Sequence, residues 1–545
     1  MAGSANQWDS APSRRRPSSA RRRAGRLTLI VLITAGIGLA AIEPSLASFA
    51  NVLPSVLGGE LKTASLPAPS GLAAANGGCV GGKNEQTNVS ATWSASAEKD
   101  ANGNPLINGY TLLWSTSSAG SYSSVGTTGI ATSFTDVNPS GAEPPQVYVG
   151  NNATSTVHAV KTSTNEGKQI TTGTIGTEPD GMAVTPEGTK IVVAEGASHQ
   201  VQIITVSSQS VSQTVPIPEV GGVKSRPDAV AITPNGSTAY VVDGANKLVY
   251  PLTLSSNTLG TGIAVGTQGD PGAIVVTPNG ETVYVANYSS HSVSAIATSS
   301  NKVTATVAIG AGETGKPTAL AVTPNSAHVY VADQGNSQID DIATASNTVS
   351  KTIAVGSMVD ANVAGGGDPN ILAITPDGSK LYVASYTGRG VEDIAISTDT
   401  LTSTIKLFES SSANPNALSL TPNGCQLYVH DHAHNVVDAI TVSSDAVPAH
   451  PAVGTTGDPT GMSATPDGAH VYVANKGGPS VSVIATATNT VSSTLAEAVV
   501  GKAPIAVLAT ASPYFYKLQA GHGGWLSPLT APVLYPLGWN QGGWQ

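Results

Sequence analysis

The stretch PGAIVVTPNGETVYVAN, from Pro271 to Asn287, decides the fold because its first half recurs along most of the chain. Every copy places the threonine of a Thr-Pro pair six residues after its first proline, and successive threonines are 44 to 52 residues apart. Self-similarity at such a period is typical of repeat architectures. The seven threonines are Thr185, Thr233, Thr277, Thr323, Thr375, Thr421 and Thr465.

Each repeat predicts four β-strands. A VYVAN-like run follows the TP[ND]G turn, and a polar loop, a VSVIAT-like run and a TNTVxxT-like run come next. These runs are short and apolar, turn residues separate them, and none has helical periodicity. Because a four-stranded sheet has two faces to cover, sheets of this kind pack face to face in a ring. The sequence therefore predicts an all-β protein with a β-propeller of four-stranded blades; a linear β-solenoid is the alternative, but it requires shorter repeats.

The two ends of the repeat array predict how the ring closes. Residues 146–178 contain a second, third and fourth strand but no first, whereas Pro504–Ala511 (PIAVLATA) is a first strand alone. A C-terminal strand would complete the N-terminal blade and leave no open sheet edge. Seven full repeats and this composite favour eight blades over residues 146–511; seven remain if Val147–Lys161 belongs to the preceding domain.

The segment before the propeller, expected at residues 66–140 after a linker at 51–65, contains strand-like runs. Trp93 and Tyr110 lie on successive runs, as in the core of an Ig-like β-sandwich. The segment resembles a fibronectin type III module, but the propeller repeats begin where its last two strands should be. The module is therefore either truncated or completed by strands from elsewhere.

The tail at 512–545 holds Trp525, Trp539 and Trp544 among glycines and prolines, which disfavour a helix. Three interpretations remain open. The aromatic residues dock onto the propeller or the sandwich, or they form a flexible arm that stacks on wall glycans or a partner, or the tail is disordered without a role.

The N-terminus predicts export. Two arginine triplets, Arg14–Arg16 and Arg21–Arg23, precede an uncharged apolar run from Leu27 to Ile42 and then small residues up to Ala50. This order describes an export signal at residues 1–50, and the run is short for a membrane-spanning helix. The signal is either cleaved or kept as an anchor, so the protein is expected to be secreted or held at the cell surface. Membrane contact is expected only through such an anchor.

Composition excludes one class of partner. The net charge is −10, and no basic patch occurs beyond the first 26 residues, which argues against nucleic acid. The two cysteines, Cys79 and Cys425, are far apart and predict neither a metal site nor a disulfide framework.

A first candidate site surrounds the predicted channel mouth. The residue before each first-strand proline should form a ring there, mildly acidic, that could hold a cation or a polyhydroxylated ligand. Gly-Asp-Pro is also simply a favourable turn, which remains the alternative explanation. The candidate residues are Glu178, Arg226, Asp270, Lys316, Asp368, Asn414 and Asp458, with Ala503 at the eighth position.

A second and weaker candidate is the loop His430-Asp431-His432-Ala433-His434 in the sixth full repeat. Imidazole and carboxylate are transition-metal ligands. In an extended segment, however, alternating side chains are spaced too widely to share one ion, so no metal site is expected. Because a loop on the channel face contributes little to blade packing, changing all three histidines to alanine should not unfold the protein.

The repeats resemble the YVTN β-propeller family of exported bacterial and archaeal surface proteins, over about two-thirds of the chain; its better-known rings have seven blades. The sequence lacks GxSxG, HExxH and P-loop motifs. We therefore expect a non-catalytic extracellular binding or adhesion scaffold without a cofactor, whose partner is an extracellular protein or a cell-envelope glycan. Because some propellers of similar repeat type are lactonases or lyases, a metal-assisted lactonase-like hydrolase or lyase is one alternative. A structural envelope protein without a discrete ligand is the other.

Overall fold

A computed structural model describes side chains within the propeller and the backbone alone of the strands that flank it. The described residues are 70–76, 88–94, 109–115, 123–128, 133–137, 146–151, 156–171, 179–267, 271–310, 314–356, 371–385, 389–407, 413–453, 459–475, 477–500, 504–510, 514–522, 525–526 and 533–535. The predicted export signal and linker lie outside these residues. Within the described part, no helix is long and apolar enough to cross a membrane.

Eight strands precede the first full repeat. They are β1 (Ser70–Asn76), β2 (Asn88–Ser94), β3 (Gly109–Ser115), β4 (Ser123–Thr128), β5 (Ser133–Val137), β6 (Gln146–Asn151), β7 (Thr156–Lys161) and β8 (Gly167–Thr171).

The seven full repeats form blades 1 to 7, each an antiparallel sheet with its strands hydrogen-bonded in chain order. The strands are β9 (Pro179–Val184), β10 (Lys190–Glu195), β11 (Gln200–Thr205) and β12 (Ser210–Pro216) in blade 1; β13 (Pro227–Ile232), β14 (Thr238–Asp243), β15 (Leu248–Thr253), β16 (Thr258–Leu259) and β17 (Ile263–Ala264) in blade 2; β18 (Pro271–Val276), β19 (Thr282–Asn287), β20 (Ser292–Ala297) and β21 (Lys302–Ala308) in blade 3; β22 (Pro317–Val322), β23 (His328–Asp333), β24 (Gln338–Ala343) and β25 (Thr348–Ala354) in blade 4; β26 (Leu372–Ile374), β27 (Lys380–Ser385), β28 (Gly390–Ala395) and β29 (Thr400–Lys406) in blade 5; β30 (Pro415–Leu420), β31 (Gln426–Asp431), β32 (Val436–Thr441) and β33 (Ala446–Ala449) in blade 6; and β34 (Pro459–Ala464), β35 (His470–Asn475), β36 (Ser480–Ala485) and β37 (Thr490–Ala496) in blade 7.

Short helices are few among the described residues: a 3-10 turn at Tyr288–Ser290 and one helical turn, α1 (Glu497–Val500). The remaining strands are β38 (Pro504–Thr510), β39 (Tyr514–His522), β40 (Trp525–Leu526) and β41 (Val533–Tyr535).

The TP[ND]G motif forms the turn between the first and second strands, as its composition predicts. In blade 2 the Thr233 hydroxyl donates to Oδ1 of Asn235 at 2.7 Å, and its oxygen accepts from the amide of Thr238 at 3.1 Å. Gly236 has a φ of 68°, a left-handed conformation that glycine adopts without steric strain. The motif recurs because blades 1 to 7 each need a turn between their first and second strands.

The ring closes as predicted, with eight blades. The first strands of successive blades are neighbours in the order β9, β13, β18, β22, β26, β30, β34 and β38, and β38 contacts β9 again. In the composite blade, called the closing blade (β38, β6, β7, β8), Val507 pairs with Val149 and Leu508 with Tyr148. Residues 147–161 are therefore part of the propeller, which rules out the seven-blade alternative.

Apolar residues fill the spaces between neighbouring sheets. Between blades 6 and 7, for example, Tyr428 and Val437 pack with Met462 and Val471 in one buried cluster. Burial of apolar area stabilises a protein by roughly 25 cal/mol per Å², so the core of this protein is the set of blade interfaces.

A contact of tyrosine with asparagine or aspartate, here called the latch, also joins neighbouring blades. The tyrosine is the third residue of a second strand, and its hydroxyl reaches a residue of left-handed φ in the turn between strands three and four of the next blade. Tyr284 donates to Asn347 at 2.6 Å and Tyr330 to Asp399 at 2.5 Å. The other latches are Tyr240–Asn301, Tyr382–Asp445, Tyr428–Asn489 and Tyr472–Asn165.

The strands outside the propeller form two more sheets. One contains β1, β2 and β5, and the other runs β4-β3-β39-β40, with β41 also on β39. Trp93 and Tyr110 lie on the successive strands β2 and β3, as expected. The segment after the propeller thus pairs with the segment before it; Trp539 and Trp544 lie outside the described residues.

Cys425 follows the TP turn of blade 6 and is disulfide-bonded. The sequence left the redox state of the two cysteines open, and the structure resolves it for Cys425. The sequence missed the bond because a separation of this size in the chain carries no information about proximity in space. The other cysteine of the sequence, Cys79, lies outside the described residues.

Candidate functional site

The loops between blades and the turns between second and third strands lie on one face of the ring, here called the mouth face. Two histidines show this proximity. His199, in the turn between β10 and β11, donates from Nδ1 to the carbonyl oxygen of Ser225 at 2.5 Å. His291, in the turn between β19 and β20, contacts the carbonyl oxygen of Gly315 through Nδ1. Both histidines therefore hold the loop that leads into the next blade.

Three members of the predicted channel-mouth ring are described: Arg226, Lys316 and Asn414. The Arg226 side chain is 52% exposed and bonds Asp228 through Nε at 2.8 Å. The Lys316 ammonium lies 5.6 Å from the centroid of the Tyr288 ring, within the range of a cation–π contact. The remaining candidates, Glu178, Asp270, Asp368 and Asp458, and the eighth position, Ala503, lie outside the described residues, so the acidic ring stays a prediction.

The last residue of each second strand is polar and buried, a position that sequence reasoning did not single out. In three blades it is an aspartate whose Oδ1 accepts from the backbone N–H of a ring residue. The distances are 2.8 Å from Arg226 to Asp243, 2.8 Å from Lys316 to Asp333 and 2.9 Å from Asn414 to Asp431. The eight residues at this position are Asn151, Glu195, Asp243, Asn287, Asp333, Ser385, Asp431 and Asn475.

Each of these three aspartates, here called the clamp aspartates, also accepts from the turn that follows its own strand. The donors are the amides of Asn246 at 3.2 Å, Gly335 at 3.1 Å and Ala433 at 3.1 Å. One carboxylate thus ties two mouth-face segments together. Buried carboxylates that accept several backbone N–H bonds are structural groups, and they fix the backbone that carries the exposed ring side chains.

In blades 3 and 7 the strand-end residue is an asparagine, whose side chain bonds the third strand of its own blade. The Asn287 side chain donates to the hydroxyls of Ser292 at 3.3 Å and Ser294 at 2.9 Å. In blade 4, where Asp333 replaces asparagine, the neighbours are donors instead: Asn336 at 2.6 Å and Gln338 at 3.1 Å. Where the strand-end residue is an asparagine that donates, its neighbours accept; where it is an aspartate that accepts, its neighbours donate.

The histidine loop of blade 6 is not the extended segment that its sequence predicts. Strand β31 ends at Asp431, and His432 to Asn435 form the turn that follows. His430 is only 1% exposed and contacts Oδ1 of Asn416 through Nδ1. Burial, with a smaller contribution from His432, lowers the pKa of His430 to about 3.

This geometry corrects the expectation that all three histidines can be removed without harm. His430 pairs with Ala417 and Val437 across the sheet and is part of the packed blade. Its removal would leave a cavity, whereas His432 and His434 lie in the turn and are only partly buried. The rings of His430 and His432 are 6.2 Å apart and meet edge to face.

Two aspartate–histidine pairs lie in blade 6. His434 Nδ1 is 2.6 Å from Oδ2 of Asp431, and His450 Nδ1 contacts Oδ1 of Asp438. Asp431 pairs with Val436 on the neighbouring strand, and Asp438 pairs with Val429. The two aspartates are thus on adjacent strands, offset by two positions in register, and they lie on one face of the sheet. An aspartate that accepts from Nδ1–H keeps the Nε2 lone pair basic, as in histidines that act as bases or metal ligands.

Sequence reasoning missed Asp438 and His450. Asp438 is fully buried, and burial raises its pKa to about 6, although the hydrogen bond from His450 opposes the shift. The signal in the sequence is weak: serine occupies the third position of strand three in blades 3 and 7 (Ser294, Ser482), and aspartate replaces it here. Its partner, His450, directly follows β33, the fourth strand of the same sheet.

These side chains do not form a ready metal centre. Among the described residues there is no group of three or more His, Cys, Asp or Glu side chains arranged to hold a metal ion. The clamp aspartate Asp431 already accepts from two backbone amides and from His434, which leaves it little capacity as a ligand.

Comparisons with known proteins agree with the fold. The family model described as "Lactonase, 7-bladed beta-propeller" matches residues 297–417, from the end of β20 to the first half of β30. This match covers less than half of the chain, and the ring has eight blades where the family description gives seven. No curated protein matches the sequence.

Two solved structures illustrate the likeness. "Dihydro-heme d1 dehydrogenase NirN in complex with DHE" superposes with a TM-score of 0.53 at 12% identity, over 67% of this chain and 74% of that chain. Hydrazine synthase of Kuenenia stuttgartiensis gives a TM-score of 0.43 at 19% identity, over 56% of this chain and 96% of that chain. At 12% identity the likeness to the dehydrogenase concerns the fold alone.

Proposed function

We propose that the protein is an exported, non-catalytic scaffold that presents the mouth face of its propeller to an extracellular protein or a cell-envelope glycan. The observation that carries the proposal is the set of clamp aspartates, Asp243, Asp333 and Asp431. They hold the backbone of the mouth loops, while the exposed side chains on those loops differ from blade to blade. A rigid ring with varied loops is an arrangement that suits recognition.

The exposed ring side chains supply the chemistry for a partner. Arg226 and Lys316 lie on the mouth face before blades 2 and 4, each beside a group that orients it: the carboxylate of Asp228 and the ring of Tyr288. Oriented cations of this kind bind carboxylate, sulfate or uronate groups with a smaller loss of side-chain entropy. We therefore infer that these two side chains contact anionic groups of the partner.

Export rests on two observations. Residues 1–50 have the pattern of an export signal, and Cys425 is disulfide-bonded. Disulfides persist in oxidising compartments outside the cytoplasm. The likeness of the repeats to the YVTN family of surface proteins supports the same location.

The test is a binding screen of the full exported chain against acidic envelope polysaccharides and purified surface proteins, with and without divalent metal. The variant Arg226→Ala/Lys316→Ala should weaken binding at least about fivefold, as loss of central contacts does. Its charge-matched control is Lys161→Ala/Lys302→Ala, because both of these exposed lysines lie on the opposite face. Equal binding by both variants contradicts the proposal, and no binding at all favours a structural envelope protein.

A metal-assisted lactonase-like hydrolase or lyase is the second candidate. The family match and the two aspartate–histidine pairs of blade 6 favour it, although the matched segment ends at residue 417, before those pairs. Lactone hydrolysis that requires added Zn²⁺, Ca²⁺ or Mn²⁺, and that His434→Gln abolishes while the melting temperature is unchanged, would establish this candidate in place of the scaffold.

A further inference from the structure

Strands from both sides of the propeller meet in one sheet. Along its whole length β3 pairs antiparallel with β39, in a register that joins Gly109 to Gly521 and Ser115 to Phe515. The other edge of β3 pairs with β4, and β40 and β41 both pair with β39. Without β39, β3 would pair with β4 on one edge and leave its other edge open.

The second sheet contains only strands that precede the propeller. In it β2 lies between β1 and β5, antiparallel to both. Strand β1 also approaches β39 and β41 of the first sheet, so the two sheets are neighbours. Two antiparallel sheets with about seven strands in total are the architecture of an Ig-like sandwich.

We propose that residues 70–137 and 514–535 form one β-sandwich module, and that the entire propeller is an insertion between its fifth and sixth strands. Five strands come from before the propeller. The strands that a fibronectin type III-like module lacks at this point come from after it, as β39 with β40 and β41. The C-terminal segment is then a structural part of the module and not a free arm.

The connections are short enough for this arrangement. Only residues 138–145 join β5 to β6, and only residues 511–513 join β38 to β39. Strands β6 and β38 are themselves paired in the closing blade. The chain thus enters and leaves the propeller side by side, and the sandwich holds together the same two chain ends that close the ring.

This double closure has an energetic consequence. When the closing blade opens, an intact sandwich keeps its strands close, which gives them a high effective concentration for pairing again. The sandwich therefore acts as a clasp on the ring. Conversely, the sandwich is incomplete until the last strands of the chain have paired.

Hydrogen exchange on two deletion variants of the full chain tests the proposal. Deletion of residues 512–545 removes β39, β40 and β41 but keeps β38, and deletion of 536–545 is the control that keeps all four strands. We expect exchange of the β3 amides to accelerate at least about tenfold in the first variant only, because they lose their ladder partner. Amides of β31 in blade 6 should stay protected in both. Unchanged protection of β3 in the first variant would overturn the proposal.

A cross-link covers the case in which the deletion prevents folding. In a Cys79→Ser/Cys425→Ser background, Thr111→Cys and Gln519→Cys are register partners and should form an intramolecular disulfide. Thr111→Cys with Leu518→Cys is the control, one residue out of register, where adjacent side chains point to opposite faces. Absence of the first cross-link contradicts the proposal. A cross-linked dimer contradicts it too, because the strand would then come from a second copy.

Discussion

The hydroxyl of Tyr428 in blade 6 donates to Oδ1 of Asn489 in blade 7 at 2.5 Å, and the asparagine holds a φ of 53°. The same relationship occurs at six blade interfaces, including the one between Tyr472 and Asn165 that closes the ring. Each latch joins the second strand of one blade to the turn between strands three and four of the next. Net contributions near 1 kcal/mol are typical for such hydrogen bonds.

Replacing Tyr428 by phenylalanine should therefore lower the free energy of unfolding by about 1 kcal/mol. The ring still fills its space, but Asn489 loses a buried donor. Chemical denaturation measures the change, with Tyr288→Phe at the mouth face as the control expected within about 0.5 kcal/mol. Equal effects of the two changes would contradict a role for the latch.

The clamp aspartate of blade 4 predicts a rescue experiment. Asp333→Asn turns one acceptor into a donor that faces Asn336 and Gln338, so it should destabilise by about 2 kcal/mol. Adding Gln338→Ser and Asp340→Ser recreates the Asn-Ser-Ser arrangement of blades 3 and 7 and should restore part of the loss. A triple variant less stable than the single one would show that the neighbouring side chains do not determine whether asparagine or aspartate is favoured at this position.

Closure of the ring depends on the apolar side chains of β38. Leu508 is 1% exposed and packs with Tyr148 and Met182, so Leu508→Ala should destabilise by about 2–5 kcal/mol. Leu401→Ala is the matched control, because Leu401 is 41% exposed on the outer strand of blade 5. Truncation after Lys502 should destabilise more than truncation after Ala511, since only the first removes β38. A transition that is the same in both truncations would refute closure by this strand.

His430 predicts a loss of stability in acid. Burial lowers its pKa in the folded protein to about 3, while the unfolded chain has a pKa near 6.5. Below pH 6.5 the unfolded chain binds a proton at this histidine, whereas the folded protein does not until about pH 3. The free energy of unfolding therefore falls by up to about 1.4 kcal/mol per pH unit as the pH drops below 6.5. Comparison with His430→Gln isolates the effect.

The raised pKa of Asp438 acts in the opposite direction, favouring the folded state at lower pH up to about pH 6. This effect is the same in the original chain and in His430→Gln, so it cancels when the stabilities of the two proteins are compared. The stability difference between the original chain and His430→Gln, measured by urea denaturation at pH 7.5 and 4.5, should shrink or reverse at the lower pH. An unchanged difference would mean that His430 titrates normally.

The disulfide of Cys425 has one available intramolecular partner, since the sequence contains two cysteines. Peptide mapping of the purified protein under non-reducing conditions should yield one cross-linked peptide that joins Cys79 to Cys425. A protein with two free thiols, or a dimer that reduction converts to monomer, would contradict this expectation. The thiol variant Cys425→Ser serves as the negative control.

The sequence predicted the propeller because its local chemistry is explicit. The proline that starts each first strand, the TP[ND]G turn and the repeat period all act within about fifty residues. The partial repeats at 146–178 and 504–511 also predicted the closing pair, including the strand with Tyr148. Period and turn chemistry are local properties, and a single sequence displays them directly.

What the sequence did not reveal depends on contacts between separate strands. Tyr428 and Asn489 each occur in a visible motif, but their meeting requires the twist and stacking of two blades. The pairing of Asp438 with His450 depends on register within blade 6. The strands β39 to β41 lack a clear period among their glycines and prolines, so their pairing with β3 was not visible either.

Blade 2 contains another feature that the sequence did not reveal. Its outer strand is divided into β16 and β17 opposite Pro251, which has no N–H to offer the ladder. Gly260 bonds the carbonyl oxygen of Pro251 at 2.7 Å, and the chain departs from the sheet there. The proline was visible in the sequence, but the place where the neighbouring strand would break was not.

The pairing of β6 with β38 sets when this protein can first become native. At about 5–20 residues per second, a ribosome needs roughly half a minute to two minutes to make the chain, and β6 waits for most of that time for its partner. During synthesis the nascent blades have no closed ring, because the partner of β6 is made only after all the other blades. Completion of the native ring is thereby postponed until the last strand of the propeller has been made.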